Sequence, residues 1–230
     1  MNRSAERILT VSRLLAAASM MLGTAHAALL VEQWQGGGAG SNGLSGVDSV
    51  IASRLPNISQ SYAVIDFTDD PIGFAGEIPG NSPWPLAVSL GQSGTGATAN
   101  NDFAARISGL LTISIADTYA FRTYSDDGVR LRVGGTTVIS DNGYHPEQIN
   151  NGSLFLNPGS YLIDLIFFEG GGEASLEFTM ARGSGAFGLV GTLPGTSTQV
   201  QAVPEPSTWA AGIAVAGMVT GTFWRARRRA

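Results

Sequence analysis

From residue 105 onward, short runs of alternating apolar and polar residues are each stopped by glycine, proline, asparagine or aspartate, a rhythm that fits antiparallel β-structure and little else. The clearest run is 129–133, VRLRV, which puts Val129, Leu131 and Val133 on one face and Arg130 and Arg132 on the other. Gly134-Gly135 then makes a two-residue turn into a strand over 136–139. Strands are also predicted over 106–115, 118–124, 153–156, 161–168 and 174–180. Asn157-Pro158-Gly159 and Gly170-Gly171-Gly172 are breaks between them, and 140–152 reads as a long loop. The expectation is an all-β fold, an antiparallel β-sandwich of jelly-roll type over residues 28–182, with the pattern densest at 103–180 and a flexible linker at 183–202.

The first half is less regular. Residues 28–31 and 63–67 have strand character, and 47–54 reads as a short helix. Gly38-Ala39-Gly40-Ser41-Asn42-Gly43 matches G-x-G-x-x-G and, with Asp66 further on, imitates a dinucleotide-binding fold. The glycines trail the strand by several residues and no second parallel unit follows, so the stretch is read as a flexible loop before a short helix. Residues 91–101 read as another flexible loop.

Both ends carry addresses rather than fold. Arg3, Arg7 and Arg13 lead into a short apolar run at 14–22, too short for a bilayer of ~30 Å. Ala25-His26-Ala27 supplies the small-x-small pattern of a signal peptide, with cleavage after Ala27. At the other end, Val203-Pro204-Glu205-Pro206 precedes an uncharged stretch at 207–224, long enough for a single transmembrane helix, with Trp209 and Trp224 near its limits. A basic cluster, Arg225-Ala226-Arg227-Arg228-Arg229, follows and is expected to stay in the cytoplasm, leaving the body outside.

Charge narrows the partners. Residues 28–200 hold six Arg, no Lys and sixteen Asp plus Glu, a net of about −10. Such a body repels phosphate backbones, which excludes nucleic acid, and suits divalent cations or neutral sugars. The absence of Cys rules out thiolate catalysis, cysteine-ligated zinc and a lipidated Cys anchor. A body of this length builds a core without disulfides.

Two resemblances follow from these residues. The order of VPEP, apolar span and basic tail over 203–230 resembles the PEP-CTERM sorting signal. It implies an exosortase acting beside signal peptidase, transient residence in the inner membrane and removal of the span. The end point is the cell surface or exopolysaccharide (biofilm) matrix of a Gram-negative bacterium. Residues 103–180 resemble the β-sandwich first named for anthrax protective antigen, the protective-antigen fourteen-kilodalton domain. The matching positions are Phe103, Arg106, Gly109, Tyr119-Ala120-Phe121, Ser125-Asp126-Asp127-Gly128-Val129-Arg130-Leu131, Gly134-Gly135, Gly159, the 161–168 strand with Glu169, and the closing 174–178 strand.

This second resemblance implies a noncatalytic, sugar-binding adhesive module. In adhesin and flocculin relatives an Asp-Asp pair joined by a cis peptide holds a calcium ion that binds sugar hydroxyls, and Asp126 and Asp127 match that pair. A further ligand comes from the loop before the last strand, ordinarily Asn, where this chain has Glu169. The chemistry is sound, since calcium is a hard cation that takes six to eight oxygens. An Asp-Asp-Gly turn held by local side-chain bonds is the plainer alternative. Tyr144 and His145, in the 140–152 loop, are candidate sugar contacts or ordinary loop residues. The expected function is calcium-dependent carbohydrate binding. The alternatives are a structural matrix protein without a ligand site, or a polysaccharide-acting enzyme using Asp126 and Glu169 as its carboxyl pair.

Overall fold

The computed structural model describes residues 28–69, 76–92 and 98–200. The signal peptide with Ala25 and Ala27, and the sorting signal with Val203, Pro204, Glu205, Pro206 and the 207–224 span, lie outside the described residues. Among the described residues, no helix is long and apolar enough to cross a membrane.

The described residues form twelve strands in two sheets. They are β1 (Leu29–Gln35), β2 (Ile58–Tyr62), β3 (Asp66–Thr68), β4 (Phe103–Ile113), β5 (Asp117–Asp126), β6 (Val129–Val133), β7 (Thr136–Asp141), β8 (Gln148–Leu156), β9 (Gly159–Glu169), β10 (Ser175–Arg182), β11 (Gly188–Leu189) and β12 (Thr196–Gln199). Two helices, α1 (Gly43–Ser53) and α2 (Pro85–Ser89), and a 3₁₀ turn at Thr98–Asn100 fall in the first half. The larger sheet runs β2-β1-β4-β9-β6-β7, and β12 pairs with β4 beyond the end of β1. The smaller runs β11-β10-β5-β8, and β3 pairs with β10 beyond the end of β11. Every strand pairing is antiparallel.

Alternation decides which side chains meet between the sheets. Ile107 and Leu111 of β4, Val129, Leu131 and Val133 of β6, and Ile163, Leu165 and Phe167 of β9 face Tyr119, Phe121, Leu176, Phe178 and Met180 of the smaller sheet. Trp84 sits fully buried among them, stacked on Phe67 and Phe167 and edge-on to Phe103, while its indole N–H donates to the Ala174 carbonyl at 3.0 Å. The apolar run of β9 has a second purpose: Ile166 and Phe168 point to the outer face, where α1 covers them with Leu44, Val47 and Val50. A strand buried on both faces reads as continuous apolar sequence, as this one does.

The structure departs from the sequence reading in the loops. The 140–152 segment is no long loop, because β8 already starts at Gln148; its exposed, polar residues lie on a sheet edge and carry little alternation. Of the 183–202 segment, residues 183–200 are not a free linker: β11 pairs with β10, β12 pairs with β4, and Val190 is fully buried in the core. Strand β2 was missed because, as an edge strand, it exposes most of its residues. Helix α1 begins at Gly43, four residues before the predicted start, because its first amides are satisfied from far along the chain.

Candidate metal and carbohydrate site

Asp126 closes β5 and Asp127 opens the turn to β6, and the peptide bond between them is cis. Gly128 completes the turn where a Cβ would press on the Phe168 ring and the Asp141 carbonyl, so no larger residue fits. Glu169 closes β9. One carboxylate oxygen from each of Asp126, Asp127 and Glu169 lies within 4.8 Å of the others. The pairing of β9 with β6 and of β10 with β5 brings these strand ends together, although they are some forty residues apart in sequence.

The three carboxyls are unequal. Asp127 is almost buried, and both its oxygens accept backbone N–H groups, Oδ1 from His145 at 2.7 Å and Oδ2 from Gly170 at 3.0 Å. Glu169 is fully buried; its Oε1 accepts the Gly171 N–H at 2.6 Å, and its Oε2 has no partner. Burial, then the charges of Asp127 and Asp126, push the Glu169 carboxyl up to about 9. Burial, with the Asp127 charge next, pushes Asp126 up to about 7. Three carboxyls crowded so closely share protons or hold a cation.

An open cleft of about 700 Å³ leads to this floor. Ser41, Tyr144, His145, Gly170 and Glu173 are among its walls. Both loop residues singled out from the sequence are therefore at the site, but both are also tied down. Tyr144 stands edge-on to Phe168, donates its hydroxyl to the Gly40 carbonyl and accepts the Gly43 N–H. The His145 ring has Nε2 3.0 Å from Asp141 Oδ2 and Nδ1 2.9 Å from the Pro146 carbonyl oxygen. Asp141 in turn lies low despite its burial, held there by the Gly143 N–H and the Asn150 amide.

The glycine-rich segment that imitated a dinucleotide motif lies behind the site and reaches the cleft through Ser41. Asp102, at φ 49°, accepts N–H groups from Gly38, Gly40 and Ser41 and the Ser41 hydroxyl. A Cβ on Gly40 would collide with the Glu169 carbonyl, so glycine lets this loop lie directly on the backbone of the buried acid. Asn142 Oδ1 accepts the Leu44 N–H at 2.7 Å and caps α1 from another loop. Sequence reasoning missed Asp102, Asn142, Ser41 and Glu173. Only Asp102 carried a local signal, since aspartate tolerates the left-handed backbone.

The carboxyl geometry does not suit hydrolysis. A glycosidase sets two carboxyls on either side of an accessible sugar, whereas Glu169, the partner that Asp126 would need, is fully buried.

These observations define a class, an antiparallel β-sandwich with an acidic cleft at one end of its sheets. Residues 78–184 match the PA14 domain, which includes the whole stretch from β4 to β10. Among solved structures, the PA14 sugar-binding domain of an RTX adhesin is 24% identical at a TM-score of 0.54, covering 70% of this chain and 93% of that one. The PA14 domain of the MpAFP antifreeze protein is 16% identical at 0.54, covering 77% and 93%. The epithelial adhesin 6 A domain of Candida glabrata, solved with Galβ1-3GlcNAc, is 15% identical at 0.51, covering 80% and 92%. At these identities the likeness is one of fold. No curated protein matches the chain.

Proposed function

We propose that this is an exported, surface- or matrix-located protein whose sandwich holds a calcium ion on Asp126, Asp127 and Glu169 and through it binds carbohydrate. The observation that carries the reading is the fully buried Glu169, which keeps one carboxylate oxygen unpartnered and clusters within 4.8 Å of Asp126 and Asp127, the two aspartates that line the cleft. An all-oxygen, anionic donor set is the chemistry calcium takes, and water or ligand hydroxyls fill its remaining positions. When bound, the ion supplies a Lewis-acidic point for paired sugar hydroxyls. The chain's own part is to hold Asp127 by two backbone N–H groups and to shape the cleft with Tyr144 and His145. The Galβ1-3GlcNAc complex of the epithelial adhesin and the sugar-binding domain of the RTX adhesin lend support for a glycan partner.

The addresses at the two ends complete the proposal. Signal peptidase cuts after Ala27, and an exosortase acts on the Val203–Pro206 motif after the span has held the chain in the inner membrane. Calcium titration by calorimetry, followed by a glycan array with and without calcium, tests the site. Saturable binding near millimolar calcium and calcium-dependent glycan retention are expected. A chain that titrates no calcium would be a structural matrix protein. Turnover of matrix polysaccharide abolished by Asp126→Asn would make it an enzyme.

A further inference from the structure

The cleft is notable for what its donors already do. Three successive backbone N–H groups at Gly170, Gly171 and Gly172 would make a cradle for an anion, yet each is taken: by Asp127 Oδ2, Glu169 Oε1 and Asn101 Oδ1. The His145 N–H goes to Asp127, and the Ser41 N–H and hydroxyl go to Asp102. Cations are equally absent from the walls. The chain has no Lys, and none of the six body Arg lines the cleft. Arg54 donates to the Gln35 and Gly36 carbonyls, Arg106, Arg122, Arg130 and Arg182 face carboxylates elsewhere, and Arg132 reaches Thr137. His145 is held against Asp141.

Acceptors and negative charge remain. Beyond Asp126, Asp127 and the buried Glu169, whose charge a divalent ion would largely offset, Glu173 stands exposed on the wall. The charges of Glu147 and Glu173 both reach Asp126. We infer that the cleft selects uncharged and amine-bearing glycans and rejects acidic ones, with Glu173 setting the preference. Sugar hydroxyls and ammonium groups donate to what the cleft offers, whereas a uronate or sulfate group, which only accepts, has the ion alone to turn to, the donors described above being taken, and meets the like charge of Glu173. The inference rests on the carbohydrate reading of the site.

The test uses the full-length protein in mild detergent at millimolar calcium, with tetramers of glucose, glucosamine and galacturonic acid as probes. At low ionic strength the galacturonate tetramer should bind about fivefold or more weakly than the neutral one, as one unscreened like charge at close range implies. The glucosamine tetramer should bind at least as well as the neutral one. Glu173→Gln should narrow the gap with calcium still titrating and the neutral probe still held, and salt should narrow it in the wild type. Galacturonate binding equal to or tighter than the neutral probe, or a gap indifferent to Glu173→Gln, overturns the inference and leaves the calcium-sugar site standing. If calcium titrates normally but no tetramer of any charge is held, the carbohydrate reading itself falls, and this inference with it.

Discussion

The buried Glu169 carboxyl makes a measurable statement about stability. In the folded chain burial and the two neighbouring aspartates push it from 4.5 to about 9. Between those values the fold retains a proton that the unfolded chain has released, so stability is full at acid pH and falls as pH rises. The slope for one such group is ~1.4 kcal/mol per pH unit, so raising pH from 5.5 to 7.5 without calcium should cost about 2 to 3 kcal/mol. Asp126, Asp66 and Glu177 are also held high, and they add losses of the same sign. The comparison is therefore wild type against Glu169→Gln, which keeps the others and removes this titration. Urea unfolding in calcium-free buffer should show the wild type losing about 2 to 3 kcal/mol relative to the variant over that interval, with unchanged m-values. Calcium at 10 mM should restore about 1.4 to 2.7 kcal/mol to the wild type if the site binds in the extracellular range of ~10⁻³ to 10⁻⁴ M. A wild-type-minus-variant difference that stays flat with pH would mean that Glu169 is solvated or already ionised, and the case for a cation would lose its main support.

Further outcomes concern the site, the core and the sorting signal. Asp127→Asn should weaken calcium binding by calorimetry, yet the domain should stay folded at a cost of ~1 kcal/mol, because the amide oxygen still accepts one of the two backbone N–H groups. Leu131→Ala, fully buried between the sheets, should cost ~2 to 5 kcal/mol in denaturant unfolding. Arg130→Ala, whose guanidinium meets Asp48 at the surface, should cost under ~1 kcal/mol; equal losses would overturn the assigned register. Mass spectrometry of extracellular protein from a host with the matching exosortase should find no chain reaching Ala230, and replacing Pro204-Glu205-Pro206 should leave unprocessed protein in the inner membrane.

Strands with one face in the core announced themselves by alternation. VRLRV gave β6 residue for residue, and the Gly134-Gly135 turn fixed its partner β7. What stayed hidden were elements whose contacts are few or one-sided. Edge strand β2 and the first half of β8 are largely exposed, and β11 and β12 are two and four residues long. A two-residue strand has no period to detect. Its place comes from the partner strand, as Gly188 and Leu189 show by pairing with Met180 and Thr179.

The site divides along the same line. Asp126, Asp127 and Glu169 were singled out through the resemblance to the protective-antigen domain, and each sits at or beside a strand end next to a glycine, where a sandwich displays its polar groups. The residues that hold them were not, because their bonds join positions about a hundred residues apart: Asn142 to Leu44, Tyr144 to Gly43, and 62 residues for Asp102 to Gly40. The glycine-rich segment shows how a local pattern misleads when its partner is distant. Read alone, Gly38 to Gly43 matches a phosphate-binding loop, whose backbone N–H groups would face a ligand's anion. Here the N–H groups of Gly38, Gly40 and Ser41 face Asp102, and those of Gly43 and Leu44 face Tyr144 and Asn142. The chain's own side chains occupy the anion's place. A loop so filled binds no phosphate; its bareness serves instead to let Gly40 lie against the Glu169 backbone and fix the acid that the cleft depends on.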